Sequence, residues 1–276
     1  MANCYATLAD LKTRLGIAVT TYDSVLAVLL EAASREIDGW CGRHFYTATG
    51  VRYFDSRVSG IVFLDDFLSL SALATDSESD GTFDGEAWTQ GEAGDYVLWP
   101  DNTWPKMGIL AAKDPTYNFA TAARYLKATG VWGHGDGASA SPWLATAITG
   151  TIATVDGLTL TLSAEGTIKV GQTILCESEQ MYVSAVTSDA SKAATVTRGQ
   201  NGTTAATHTT KTLSVAQYPS MIVQGCLYLA SEMYQQQGRE GLSSEGIGDY
   251  RYSLRDDPKT AEFIMRILGP LRRAVV

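Results

Sequence analysis

The sequence predicts an α+β chain: a small helical bundle of about four helices drawn from both chain ends, a small β-sheet part, and an inserted all-β domain. Three observations carry this. Apolar residues recur at helical spacing near the N-terminus and again after residue 220. Between those stretches the pattern changes to short runs of β-branched and aromatic residues. From 145 to 217 the composition turns to Thr, Ala, Val and Gly, with a two-residue hairpin signal at Asp156-Gly157. At 276 residues, 45% of them hydrophobic, the chain is long enough for one large domain or two small ones with a true core. The predicted division is a core of 1–144 and 218–276 carrying a β-domain at 145–217.

The first helix is short. Thr7 and Asp10 have capping-box-like spacing, Leu8, Leu11 and Leu15 share a face, and Gly16 ends it. The second is stronger: Asp23 or Ser24 caps it, Leu26, Leu29, Leu30, Ala33, Ile37 and Trp40 form its stripe, and Gly42 stops it. Val51–Phe54, Ile61–Leu64, Tyr96–Trp99 and Arg124–Thr129 read as strands. Within the insert, Thr151–Val155 and Leu158–Leu162 flank the Asp-Gly turn, and Ile168–Cys176, Gln180–Val186 and Ala194–Thr197 add strands. Ile222, Cys226, Leu229 and Met233 mark a third helix closed by Gly238. Pro258 opens a fourth, with Phe263, Ile264, Ile267, Leu268 and Leu271 as its stripe. Each stripe alone would leave a wide apolar face in water, so helices from the two ends are expected to meet.

The formal net charge of -9 argues against a phosphate clamp, which needs a basic patch; only Arg272-Arg273 is locally basic. Cys4, Cys41, Cys176 and Cys226 are scattered without CxxC spacing and read as reduced thiols of a protein made in the cytoplasm. No window approaches the ~18 apolar residues of a membrane span, and Met1–Asp10 lacks the pattern of a signal peptide.

Several constellations invite a chemical reading and a plainer one. Cys41 and His44 are three apart, the spacing of a thiol beside a base, but no orienting third group is evident, and a packed thiol with a helix-terminal His accounts for them. Asp76, Glu78, Asp80, Gly81 and Asp84 resemble the start of a calcium loop, yet the twelfth position is Ala87 and the flanks read as strands, so a solvated acidic turn is preferred. Gly133-His134-Gly135-Asp136-Gly137 lacks the Lys-Ser/Thr ending of a phosphate loop and reads as a junction. His44, His134 and His208 are too dispersed to argue for zinc. Gly241–Asp249 reads as a glycine/serine-rich loop that orders on assembly or stays an ordinary surface loop. No catalytic residue, metal or cofactor is predicted.

The stretch from Leu29 through Ser34-Arg35-Glu36-Ile37-Asp38-Gly39-Trp40-Cys41-Gly42-Arg43-His44-Phe45-Tyr46 resembles the second helix of siphophage head–tail connector (adaptor) proteins. Tyr5–Lys12, Lys127-Ala128-Thr129-Gly130-Val131-Trp132-Gly133 and Ile247–Ser253 are similar to the same family, in the same order. The resemblance covers about 4–137 and 218–276; the insert at 145–217 departs from compact members. It implies a helical bundle with a small β-part and no enzymatic activity. It implies a ring of twelve subunits in the virion neck beneath the portal protein, with a stopper or tail-completion protein below and genomic DNA passing through the lumen without sequence-specific binding or any membrane contact. On this reading Leu26, Leu29, Ile37, Trp40, Ile222, Leu229 and Met233 pack the ring body. Arg266, Leu271, Arg272, Arg273, Val275 and Val276 form a basic, apolar-tipped portal-binding end, the insert being peripheral. The alternatives are a tail-completion or decoration protein, and a carbohydrate- or receptor-binding module built on the insert, whose strands are poor in the aromatic platforms that sugars favour.

Overall fold

The computed structural model describes residues 3–57, 60–83, 88–112, 119–187, 192–237, 244–247, 250–253 and 266–273. The chain is mostly β, which corrects the expected helical bundle. Three α-helices, α1 (Leu8–Leu15), α2 (Asp23–Cys41) and α3 (Ser220–Gln236), form a layer beside two antiparallel β-bodies. The first body is a five-stranded sheet in the order β1-β5-β2-β4-β3: β1 (Ala48–Ser56), β2 (Ile61–Thr75), β3 (Tyr96–Trp99), β4 (Lys106–Ala111) and β5 (Ala122–Trp132). The second is a closed six-stranded barrel: β6 (Trp143–Ile152), β7 (Thr159–Leu162), β8 (Thr173–Cys176), β9 (Glu179–Val186), β10 (Ala193–Gln200) and β11 (His208–Ala216), in the circular order β10-β7-β6-β11-β8-β9. β12 (Ser244–Ile247), within the stretch read as a loop, pairs antiparallel with β13 (Tyr250–Ser253) just after it.

The helix ends follow local chemistry. Asp10 N–H donates to the Thr7 hydroxyl, capping α1, and Gly16 and Gly42 close α1 and α2 in the left-handed conformation. Asp23 lies inside α2, after a Tyr22 N-cap that makes no side-chain bond. Helices from both ends do meet: Leu11, Leu26, Leu30, Ile37, Ile222 and Cys226 share one core. Of the expected fourth helix, 266–268 form one turn followed by a 3-10 turn at Gly269–Leu271, whereas Pro258, Phe263 and Ile264 lie outside the described residues. Gly238 does as well.

The strands missed by periodicity explain the corrected class. β2 runs fifteen residues, pairing through Ile61–Phe63 and again at Phe67 with β4, and through Phe67–Thr75 with β5. Register shifts between Phe63 and Phe67, and again near Ser69 and Ala72, break the period-2 pattern that would have revealed its length. In β11 the run His208–Lys211 presents mainly Thr to solvent, so alternation is invisible there.

The barrel is not peripheral. Met181 and Val183 point into its core, while Tyr182 between them enters the core of the helical layer. Asn201 fastens the turn after β10 to both other bodies: its carbonyl accepts from Thr49 N–H at 2.8 Å, and its amide exchanges hydrogen bonds with that of Asn3 at 2.7 and 2.9 Å. Gly202 approaches so closely, at φ +80°, that a Cβ there would stand 2.0 Å from the Thr49 carbonyl oxygen. Gly202→Ala should therefore destabilise the chain by about 2–3 kcal/mol, read from the midpoint of urea denaturation; an unchanged midpoint would mean the barrel is only loosely appended.

Candidate functional site

β2 changes partner at Leu64–Asp66, and two adjacent carboxylates sit at the change. Asp65 accepts from Arg52 of β1 at 2.6 Å and from Arg273 at 2.8 Å. Burial raises its pKa, but the hydrogen bonds from Arg273 and Arg52 outweigh that and hold it below the ordinary carboxylate value. Asp66 is almost fully buried, with Arg43 Nε 3.3 Å from its Oδ2. Its carbonyl accepts from Gly133 N–H at 2.7 Å. Gly133, at φ +128°, has no room for a Cβ beside the Tyr46 carbonyl. The glycine-rich stretch 133–137 is thus a tight crossing over the α2–β1 link, closed by Asp136 accepting from Ala138 and Ser139 N–H.

These contacts locate the residues singled out in the sequence. Arg273 is bound inside the chain: its N–H donates to the Cys41 carbonyl at 2.8 Å and its guanidinium also reaches the Leu64 carbonyl at 3.0 Å. Arg272 lies over the Trp40 ring at 5.6 Å, and Leu271 packs on the helical core. Arg266 and Arg272 are exposed, whereas Val275 and Val276 lie outside the described residues. Of the residues assigned to ring packing, Leu26, Ile37, Ile222 and Leu229 are buried in the subunit's own core; Leu29, Trp40 and Met233 are partly buried against it. The exposed large apolar residues of this layer, among the described residues, are instead Val19, Tyr22, Val28 and Met221.

The reactive readings dissolve into packing. Cys41 is fully buried, and burial pushes its thiol up to about 11, the opposite of an activated nucleophile. His44 Nδ1 donates to the Tyr46 carbonyl, 3.0 Å away, and burial lowers its pKa. Asp76 accepts from Asp80 and Gly81 N–H, so it shapes its own turn; Asp84 and Ala87 lie outside the described residues. His44 and His134 lie on neighbouring segments, joined by His134 N–H to the His44 carbonyl, and His208 is in the barrel. Among the described residues no three His, Cys, Asp or Glu side chains converge to hold a metal ion.

One charged cluster escaped the sequence reading. Glu179, fully buried in the barrel wall, takes a bidentate pair from Arg198 at 2.7 Å each, His208 Nε2 at 2.8 Å, and the N–H groups of Gly199 and Ala206. Arg198 also donates to carbonyls of the 154–157 turn, bracing the β6–β7 hairpin. The only sequence hint was a Glu and an Arg at inward positions of apolar strands.

Beside Asp65 lies an open groove of about 750 Å³, bordered by Tyr53–Asp55 and Arg57 on one side, Ile61–Asp65 on the other, and by Trp99, Met107, Gly42 and Arg273. Its apolar wall is partly exposed through Tyr53 and Phe63. Its acids are already paired, Asp65 as above and Asp55 with Arg57 and the Arg124 N–H. The groove offers apolar contact and backbone groups, with no nucleophile or base poised in it.

Burial raises the Glu179 pKa, but the hydrogen bonds from Arg198, His208 and the two amides win and bring it down to about 2. A depressed acid stabilises the fold fully above its unfolded pKa, ~4.3, and loses that contribution as pH falls toward 2. Glu179→Gln strands Arg198 and should cost about 3–5 kcal/mol at neutral pH. The gap to wild type should shrink as pH falls below about 4 in denaturation series; a gap independent of pH would contradict the assignment. No family model matches the chain, and no curated protein matches it in sequence.

Proposed function

We propose that the protein is a structural subunit of a siphophage neck, a head–tail connector that assembles into a ring beneath the portal. The observation that carries the reading is the distribution of exposed apolar side chains. One set, Val19, Tyr22, Val28 and Met221, belongs to the helical layer, and another, Val51, Tyr53 and Phe63, belongs to the sheet edge and its groove. Head-to-tail rings need two different surfaces on each subunit, and these two sets are candidates for them. The paired carboxylates of Asp65 and Glu179 and the buried thiols favour a mechanical role over a catalytic one.

The resemblance in the α2 and β5 segments supplies the setting: a virion neck with portal above, stopper or tail-completion protein below, and DNA in the lumen. The helical-bundle part of that resemblance does not carry over. The net charge of -9 per subunit suits a conduit that does not hold DNA. Portal contact falls to the exposed Arg266 and Arg272, since Arg273 is engaged with Asp65.

Native mass spectrometry of the purified chain should give one closed oligomer, about twelve copies by the resemblance. A chain that stays monomeric, alone and with portal-containing heads, would remove the proposal. Reversing both arginines (Arg266→Glu with Arg272→Glu) should leave the oligomer and its melting temperature intact while abolishing co-sedimentation with portal-containing heads. Retained co-sedimentation would place the portal contact elsewhere.

A further inference from the structure

We infer that Asn201 is a modification site: when the barrel leaves the helical layer, the Asn201 side-chain amide is hydrolysed through the Gly202 nitrogen, and the acid that results keeps the barrel from docking again. The inference concerns a single subunit and holds whatever that subunit assembles with.

Glycine lacks the Cβ that hinders a backbone nitrogen from attacking the preceding side chain. Asn3, Asn102 and Asn118 precede Cys, Thr and Phe; Asn201 precedes Gly. The fold requires both members of that pair. A Cβ at 202 would stand 2.0 Å from the Thr49 carbonyl oxygen, so glycine is obligatory. Position 201 has φ +56°, a conformation asparagine tolerates. Its side chain must also both donate and accept. Nδ2 donates to Asn3 Oδ1 at 2.9 Å and to Gln180 Oε1 at 2.7 Å, while Oδ1 accepts from Asn3 Nδ2 at 2.7 Å. A primary amide supplies two donors and an acceptor on one short stem.

The reaction balances with water as co-reactant. The Gly202 nitrogen gives its proton to solvent and attacks Asn201 Cγ. The N–Cγ bond forms, the Cγ–Nδ2 bond breaks, and Nδ2 takes up a proton and leaves as ammonia. Water then opens the cyclic imide at either carbonyl, giving aspartate or isoaspartate, with no change of oxidation state. Attack requires Cγ to swing onto the Gly202 nitrogen, which breaks the amide bonds to Asn3 and Gln180. The main chain is held as well, because the Asn201 carbonyl accepts from Thr49 N–H at 2.8 Å. The docked junction therefore shields the amide.

The product does not fit the junction. An ionised carboxylate only accepts. It keeps the bond from Asn3 Nδ2 but meets Asn3 Oδ1 and Gln180 Oε1 with no proton to offer, and both of those residues are buried. Gln180 is held in that orientation by its donation to the Thr47 hydroxyl at 3.2 Å. Isoaspartate also lengthens the main chain at the turn fitted against Thr49. Either product undoes the fastening between barrel, helical layer and β1.

Peptide mapping by mass spectrometry of the full chain tests the shielding, after matched mildly alkaline incubations with and without urea. Asn201 should convert at least about tenfold more slowly in the folded chain; equal rates would overturn the inference. Asn3→Ser, which removes the partner amide, should speed conversion in the folded chain at least about threefold, and a wild-type rate in a folded variant would overturn the role of the amide exchange. The release is read on wild-type protein, whose converted fraction separates by ion exchange on its added negative charge. There the Thr49 amide should exchange at least about tenfold faster than in the unconverted fraction, with Leu30 of α2 unchanged. Equal Thr49 exchange in the two fractions would overturn the release.

Discussion

The structure turns on the change of partner within β2. β2 pairs with β4 at Ile61–Phe63 and again at Phe67, and with β5 from Phe67 onward, so its two ladders overlap only at Phe67 and the β4 register shifts between Phe63 and Phe67. The backbone around 64–66 is then left with side chains and turns as partners. Asp65 and Asp66 stand at that point, and each recruits arginine: Arg52 and Arg273 for the first, Arg43 for the second. Buried or half-buried carboxylates are costly without such partners. The three arginines come from β1, the chain's C-terminal segment and the end of α2, so the charges of two acids draw three remote stretches together, although the Asp66 oxygens and Arg43 Nε make no hydrogen bond.

That tie has geometric consequences. Because the β4-paired half of β2 leaves β5, its other edge has no ladder, and the groove opens between it and β1. Because Arg273 is held at Asp65, the C-terminal segment is laid along α2, where Leu268 packs against Gly225 and Arg272 covers Trp40. The apolar stripes of α2 and α3 are therefore consumed inside the subunit. The large apolar side chains left exposed are others, such as Val28 and Phe63. A stripe of apolar residues announces burial; it does not say whether the covering surface belongs to the same chain.

What was legible in the sequence follows the range of the physics involved. α1 was readable to the residue, because Thr7, Asp10 and Gly16 are caps acting within a few residues. The apolar stripe of α3 and the cores of β3 and β5 were readable from propensity. β4, β11 and most of β2 were not. Lys106-Met107-Gly108 has a buried Lys and a Gly where alternation would place apolar side chains, because the Lys106 ammonium is satisfied by the Pro100 and Asp101 carbonyls across the turn. That compensation is tertiary. The Glu179–Arg198 pair and the Asp65 cluster are likewise contacts between distant residues, and charged residues in apolar strands were their only trace. The balance of helix and strand came out wrong for this reason, since strands stabilised by bulges and buried ions lose the period that marks them.

The barrel extends the same logic to the level of bodies. A closed six-stranded barrel has no free edge of its own, so it can meet the rest of the chain only through side chains and turns. It does so with Tyr182, Gln180 and the Asn201-Gly202 turn, and that turn reaches Thr49 at the start of β1. There the edge of β1 is covered by the Asn201 carbonyl. A body that looks separable in composition thus fixes where β1 begins, through the Asn201-Gly202 turn against Thr49.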